Sequence, residues 1–163
     1  MDFKRIDAAV ATCKSHIDAT GARGTEIESF LVSYLLVTIA ADFEIRLEAI
    51  VSKRAERTAD PHIQSFVRVA AGRIIRGIKI SEITGVLGHF GSDCKESFSK
   101  EIADTLPHTC YDNILANRHM VAHQTGPNMT FAELETALPE SKKVLDAVAS
   151  ALGLTATELS GLE

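Results

Sequence analysis

The chain has 163 residues, the length of one domain at roughly 150 residues each, with 45% hydrophobic and 24% charged side chains. That balance belongs to a globular protein and excludes a disordered one. Seventeen Lys and Arg against 22 Asp and Glu leave a net charge of −5; this excludes sequence-blind coating of nucleic acid, which needs many cations against phosphates, but leaves room for a local cationic pocket.

Met1-Asp2-Phe3-Lys4-Arg5 leads into an amphipathic segment rather than the apolar run of a secretory leader, so a cytoplasmic protein is expected. Phe3, Ile6, Val10, Cys13 and Ile17 alternate steps of three and four and predict a first helix. Gly21 and Gly24 break it. Thr25-Glu26-Ile27-Glu28 has the pattern of a capping box, in which the Thr hydroxyl and Glu carboxylate satisfy free amides. It predicts a second helix from about Thr25 to Arg57, on the order of 50 Å long. The first half of that helix is apolar nearly all round, so it is expected to be the central core element. Its most apolar stretch, Phe30 to Ala41, is 12 residues, short of the ~20 that cross a bilayer, and no membrane association is expected.

Asp60-Pro61 pairs an N-cap with Pro at the first helical position and starts a third helix through Ile63, Phe66, Val67, Ala70, Ile74 and Ile75, ending near Gly77. Ser81 is expected to cap a short helix through Ile83, Val86 and Leu87, stopped by Gly88 or Gly91. Asp93 is expected to start another through Phe98 and Ile102. Pro107 and Thr109 introduce a helix from Cys110 to about His123, and Gly126-Pro127-Asn128 is a turn signal. Thr130-Phe131-Ala132-Glu133 is a second capping box. The helix it opens meets Pro139, a kink or a fresh start, and continues to Leu152 and Gly153. Residues 154–163 read as a tail. No period-2 alternation occurs, so the expected fold is all-α: a single helical domain over residues 1–153, a bundle of about six or seven helices around a long central one.

Most catalytic patterns are absent. There is no GxxxxGK[ST] and no GxSxG, and Gly85-x-x-Gly88-x-x-Gly91 follows no strand. Cys13, Cys94 and Cys110 contain no CxxC; Cys94 and Cys110 lack the context of a nucleophile and read as small core hydrophobes. His119 and His123 stand four apart on one helical face, a metal-ligand spacing. Met120 occupies the place where hydrolytic zinc sites carry Glu, however, and no third ligand is evident.

Arg118 is the anomaly. At about 100° per residue, Cys110, Tyr111, Ile114, Leu115, Val121 and Ala122 gather on one side of the helix, and Arg118 projects into the middle of that arc. A guanidinium there is costly unless it is paired or faces a polar cleft. One reading is a structural ion pair with Asp42 or Glu44 of the long helix; the other is a catalytic or ligand-binding role.

Asn117-Arg118-His119-Met120-Val121-Ala122-His123 resembles the signature of the HEPN superfamily (higher eukaryotes and prokaryotes nucleotide-binding domains): Arg, four to six residues, then His, with a polar residue favoured directly after the Arg. Here four residues intervene and His119 fills the polar position. Tyr34 to Ile50, with Asp42-Phe43-Glu44, resembles the early helix of the RiboL-PSP branch. The order of elements agrees: a long early helix, then a motif helix, a turn and a last amphipathic helix. One departure is informative. A branch of the superfamily carries Tyr two positions after the His, as a target of nucleotidyl transfer; here Gln124 and Thr125 follow His123, so that control is not implied.

The resemblance implies an endoribonuclease that needs no metal or other cofactor. RNA carries its own nucleophile, the ribose 2′-hydroxyl. Imidazole suits removal of that proton, and guanidinium offers a planar charged fork to phosphate oxygens. His123 as base and Arg118 as phosphate clamp form a minimal set that leaves a 2′,3′-cyclic phosphate and a 5′-hydroxyl. His119 is a candidate to orient the phosphate or His123, Asn117 a hydrogen-bond donor, and Glu44 an acidic partner for Arg118. Five residues of ideal helix set Arg118 and His123 about 140° apart. Either the helix loosens near His123, or two chains complete one site. HEPN proteins pair their motif helices in dimers, which implies a homodimer with a composite site. The resemblance further implies RNA as substrate, a toxin or anti-phage defence role, and an antitoxin protein as partner. Two cationic groups are candidate RNA tracks: Lys53, Arg54 and Arg57, and Arg73, Arg76 and Lys79. The alternatives are a non-catalytic HEPN module that binds nucleotide or protein, and a metal-dependent hydrolase using His119 and His123.

Overall fold

A computed structural model describes residues 1–123 and 126–159. Among them lie eight helices and no strand: α1 (Lys4–Thr20), α2 (Glu26–Ala55), α3 (Pro61–Ile74), α4 (Ile80–Phe90), α5 (Ser92–Glu101), α6 (Thr105–Ala122), α7 (Phe131–Ala151) and α8 (Ala156–Leu159). The all-α reading stands. No described helix is long and apolar enough to cross a membrane.

α1 buries Ile6, Cys13 and Ile17, three members of the predicted stripe. It stops where Gly21 adopts φ +65° and its amide donates to the Ile17 carbonyl, the left-handed cap that glycine takes without a Cβ penalty. α2 begins where expected, but not by a capping box. The Thr25 hydroxyl turns back to the Ala22 carbonyl. The Glu28 carboxylate instead accepts from the amides of Gly24 and, across the bundle, Phe131. Glu28 thereby ties the start of α2 to the start of α7, a non-local use that spacing alone does not reveal.

α3 starts on Asp60, whose side chain accepts from the amides of His62 and Ile63. Its apolar residues behave differently from expectation: Ala71 and Ile75 are buried, whereas Ile63, Phe66 and Ile74 stand exposed. α4 starts one residue before Ser81, with the Glu82 carboxylate accepting from the Lys79 amide and Asp112 accepting from Ile80. α6 begins five residues before Cys110, because Asp104 caps the Leu106 amide and Pro107 is tolerated in the first turn. α7 opens on the predicted box, Thr130 and Glu133 bonding each other's amides. Those bonds hold the Glu133 carboxyl below its ordinary range. The helix runs through Pro139 without ending.

Residues 154–159 pack rather than trail. Leu154 and Leu159 are buried, and Arg57 grips the Glu158 carboxylate and the Gly153 carbonyl. Thr155 and Arg57 together draw the Glu158 carboxyl down to about 2. The rest of the predicted tail, 160–163, lies outside the described residues.

The core centres on α2, which packs against α1, α3, α6 and α7. Phe43 is fully buried, stacked 5.6 Å from Tyr111 of α6 and edge-on to Phe3. The Arg46 guanidinium lies 4.4 Å from the centre of the Phe3 ring, a cation–π contact, and is paired with Asp42 in the same helix. α2 is central, but the bundle does not enclose its apolar surface: Ile27, Phe30, Tyr34 and Val37 remain exposed.

Candidate functional site

Two anchors orient α6 against α2. Tyr111 stacks on Phe43 toward the far half of α2, while the chain beyond α6 returns so that Phe131 donates to Glu28 at the α2 start. The two helices therefore run in opposite directions. Helical side chains lean toward their own N-terminus, so Arg118 on α6 and Glu44 on α2 lean toward one another. They converge on the turn between α3 and α4. A Cβ placed at Gly77 would stand 3.6 Å from Glu44 Oε1 and 4.0 Å from Arg118 Nη1.

That turn is held from below. The buried Tyr111 hydroxyl donates to the Ile78 carbonyl at 3.2 Å. Burial, with the nearby charges of Asp112, Glu44 and Glu82, pushes the phenol far above its ordinary range, so it stays a donor. Gly77 sits at φ +60°. A Gly77→Ala chain meets only ordinary van der Waals distances but must hold a left-handed backbone, at a cost of about 1–2 kcal/mol. Urea unfolding is expected to show that loss; an unchanged midpoint would refute the strain argument. In the sequence Gly77 reads only as a helix stop, and the periodicity places Tyr111 in the apolar arc without a positioning role. The sole sequence signal was a polar hydroxyl within an apolar arc.

Arg118 is half-buried and makes no ion pair or hydrogen bond with any described residue. The structural pairing with Asp42 does not occur, since Asp42 is taken by Arg46. Glu44 approaches without closing an ion pair. The arc around Arg118 is less complete than the helical wheel implies: Cys110, Tyr111, Ile114 and Leu115 are buried, Val121 is half-buried and Ala122 is exposed. The guanidinium stands where the core gives way to surface. Exposed Arg73, Arg76 and Lys79 surround the same Gly77 turn and form no ion pair with described residues. In the other cationic group, Lys53 is paired with Glu56 and Arg57 with Glu158.

At the other side of the last α6 turn, the exposed rings of His119 and His123 meet edge to face, centroids 4.3 Å apart. His123 lies just past the helix, and its amide donates to the His119 and Met120 carbonyls at 3.1 Å. The helix loosens by one residue, yet the ring stays on the His119 side. The structure joins His119 to His123 and Arg118 to the Glu44–Gly77 corner. Asn117 is engaged elsewhere: its amide nitrogen donates to the Asn113 carbonyl and its oxygen accepts from the Asn128 amide, which fastens the following turn. Gln124 and Thr125 lie outside the described residues. Among the described residues no three His, Cys, Asp or Glu side chains gather where they could hold a metal ion.

A protein-family model described as RiboL-PSP-HEPN matches residues 2–153. Neither a curated protein nor a solved structure matches the chain.

Proposed function

The chain belongs to the RiboL-PSP-HEPN family, and from that premise we propose that it is an endoribonuclease acting without a metal, with Arg118 and His123 as its catalytic residues and a toxin or anti-phage defence role. The observation that carries the reading is the state of Arg118: a half-buried guanidinium, beside three exposed cations, with no carboxylate among the described residues closing on it. A guanidinium drawn partly out of water with no counter-charge favours an anionic ligand, and RNA phosphate is the ligand that an Arg fork suits best.

In the proposed step His123 takes the 2′-hydroxyl proton, the 2′-oxygen bonds to phosphorus, and the bond from phosphorus to the 5′-oxygen breaks. That oxygen leaves with a proton from water or from a second imidazole. Arg118 stabilises the charge that builds on the phosphoryl oxygens. His119, touching His123, positions its ring, and Glu44 limits the swing of Arg118. Since His123 points away from Arg118 along its own helix, the complete constellation is built by two copies around one cleft. A small antitoxin protein that covers this cleft is the corresponding partner.

Purified protein incubated with single-stranded RNA in excess chelator is expected to yield fragments ending in 2′,3′-cyclic phosphate and 5′-hydroxyl. An inert protein would overturn this reading in favour of a non-catalytic HEPN binding module. Cleavage abolished by the chelator would transfer the chemistry to a metal held by His119 and His123.

A further inference from the structure

α3 packs on α2 and α4 on α5, and between α3 and α4 lies an open groove of about 400 Å³, a size at which small molecules are bound. Ala70 and Ala71 keep its floor low, with the larger Phe66 and Ile74 one turn to either side. Three exposed rings line it: Phe66, His89 and Phe90. Phe66 is 72% exposed, more than any other large apolar side chain among the described residues. The fold itself gains almost nothing from that ring.

The surroundings are cationic. From Pro61 to Ser81 the chain carries Arg68, Arg73, Arg76 and Lys79 and no Asp or Glu, although its net charge is −5. All four cations are exposed, and none closes an ion pair with a described residue. Arg76 Nε donates to the Gly72 carbonyl at 3.1 Å, which holds its stem to α3 and leaves the Nη nitrogens to a ligand. The groove also leads to the site already described. Ile74 and Ile75 line it, and two residues farther on Gly77 stands against Arg118 and Glu44. Phe66 to Ile74 is about 12 Å along α3, so rings, cations and the Arg118 corner fall within a few nucleotides of an extended strand.

We infer that this groove is a base-binding subsite for single-stranded RNA, taking bases of the strand whose backbone crosses Arg118. The inference rests on the RNA substrate of the proposed function. The cations call for an anionic occupant, and the ring-lined groove beside them calls for flat apolar groups. A single strand carries both at regular spacing: phosphates along Arg73, Arg76 and Lys79, and bases turned onto Phe66, His89 and Phe90. A duplex keeps its bases stacked on one another and cannot offer them. His89 is the only polar side chain lining the groove, so bases are held by stacking rather than read at their edges. The subsite therefore tightens binding without dictating sequence.

Fluorescence anisotropy on the full chain tests this, with two probes of equal length and charge. One is a short 2′-O-methyl oligoadenosine, which has no free 2′-hydroxyl and is not cleaved; the other is its abasic counterpart. The base-bearing strand is expected to bind about 10-fold more tightly or better. Phe66→Ala is expected to lose that advantage with an unchanged melting curve, and Phe66→Tyr to keep it. Arg73→Ala is expected to weaken both strands alike and to lower the salt slope by about 0.7. Equal affinity for the two strands overturns the subsite, as does a Phe66→Ala protein that still prefers bases. A Phe66-dependent affinity for an acidic amphipathic helical peptide, with none for the oligonucleotide, also overturns it and assigns the groove to a protein partner. Base-dependent binding by a protein inert toward cleavable RNA sinks the nuclease and leaves the subsite. Chelator-resistant cleavage whose KM ignores Phe66→Ala sinks the subsite alone.

Discussion

Arg118→Ala is expected to lower RNA cleavage in excess chelator by about 100- to 1,000-fold, the range for removing one preorganised donor to transition-state charge. The fold should be unaffected, because the side chain is half-exposed and closes no ion pair with the described residues. Arg118→Lys keeps the charge but loses the two-pronged geometry, so it is expected to recover only part of the rate. His123→Ala removes the base and is expected to cost about 100- to 10,000-fold. The double variant should be little worse than the poorer single one, because two groups serving one transition state do not contribute additively. Rates are read from the appearance of cyclic-phosphate ends, with circular dichroism melting as the fold control. Full activity in either single variant would refute the assignment.

Phe43→Ala is expected to have the largest effect on stability, about 3–5 kcal/mol by urea unfolding. A protein of this size has about 5–15 kcal/mol in total. Phe43 is fully buried at the centre of α2, with Tyr111 stacked on one side and Phe3 edge-on at the other. Truncation leaves a cavity that three helices cannot close without moving. It also frees Tyr111, whose hydroxyl holds the Ile78 carbonyl and with it the Gly77 corner beneath Arg118. Cleavage is therefore expected to fall even where the protein remains folded. Phe43→Leu keeps most of the volume and should cost less than the alanine variant. A loss below about 1 kcal/mol for Phe43→Ala would show that the cluster is not the centre of the core.

Local signals read well where the physics is local. Asp60-Pro61 and Thr130-x-x-Glu133 each cap the helix they precede, because a cap involves only residues within one turn. Gly21 ends α1 for the same reason. The same logic failed at Thr25-x-x-Glu28. There the carboxylate found a better use against the α7 N-terminus, more than a hundred residues away. The wheel placed Arg118 among apolar neighbours, but could not say that Asp42 would be taken by Arg46 in the next turn of α2.

Helical periodicity and cap chemistry were enough to establish an all-α bundle with a long second helix and a motif helix before the last turn. The Arg118 to His123 spacing was likewise visible from residue order alone. Three things needed the folded chain. One is the corner that joins Arg118 to Glu44 and Gly77, which forms only when α6 runs against α2. Another is that the helix ends just before His123 without carrying its ring round to Arg118. The last is which side of an all-round apolar helix stays uncovered. The reason is common to all three. Periodicity records that a residue favours burial, while the partner that buries it, or the absence of one, depends on segments far apart in the chain whose packing no local pattern encodes.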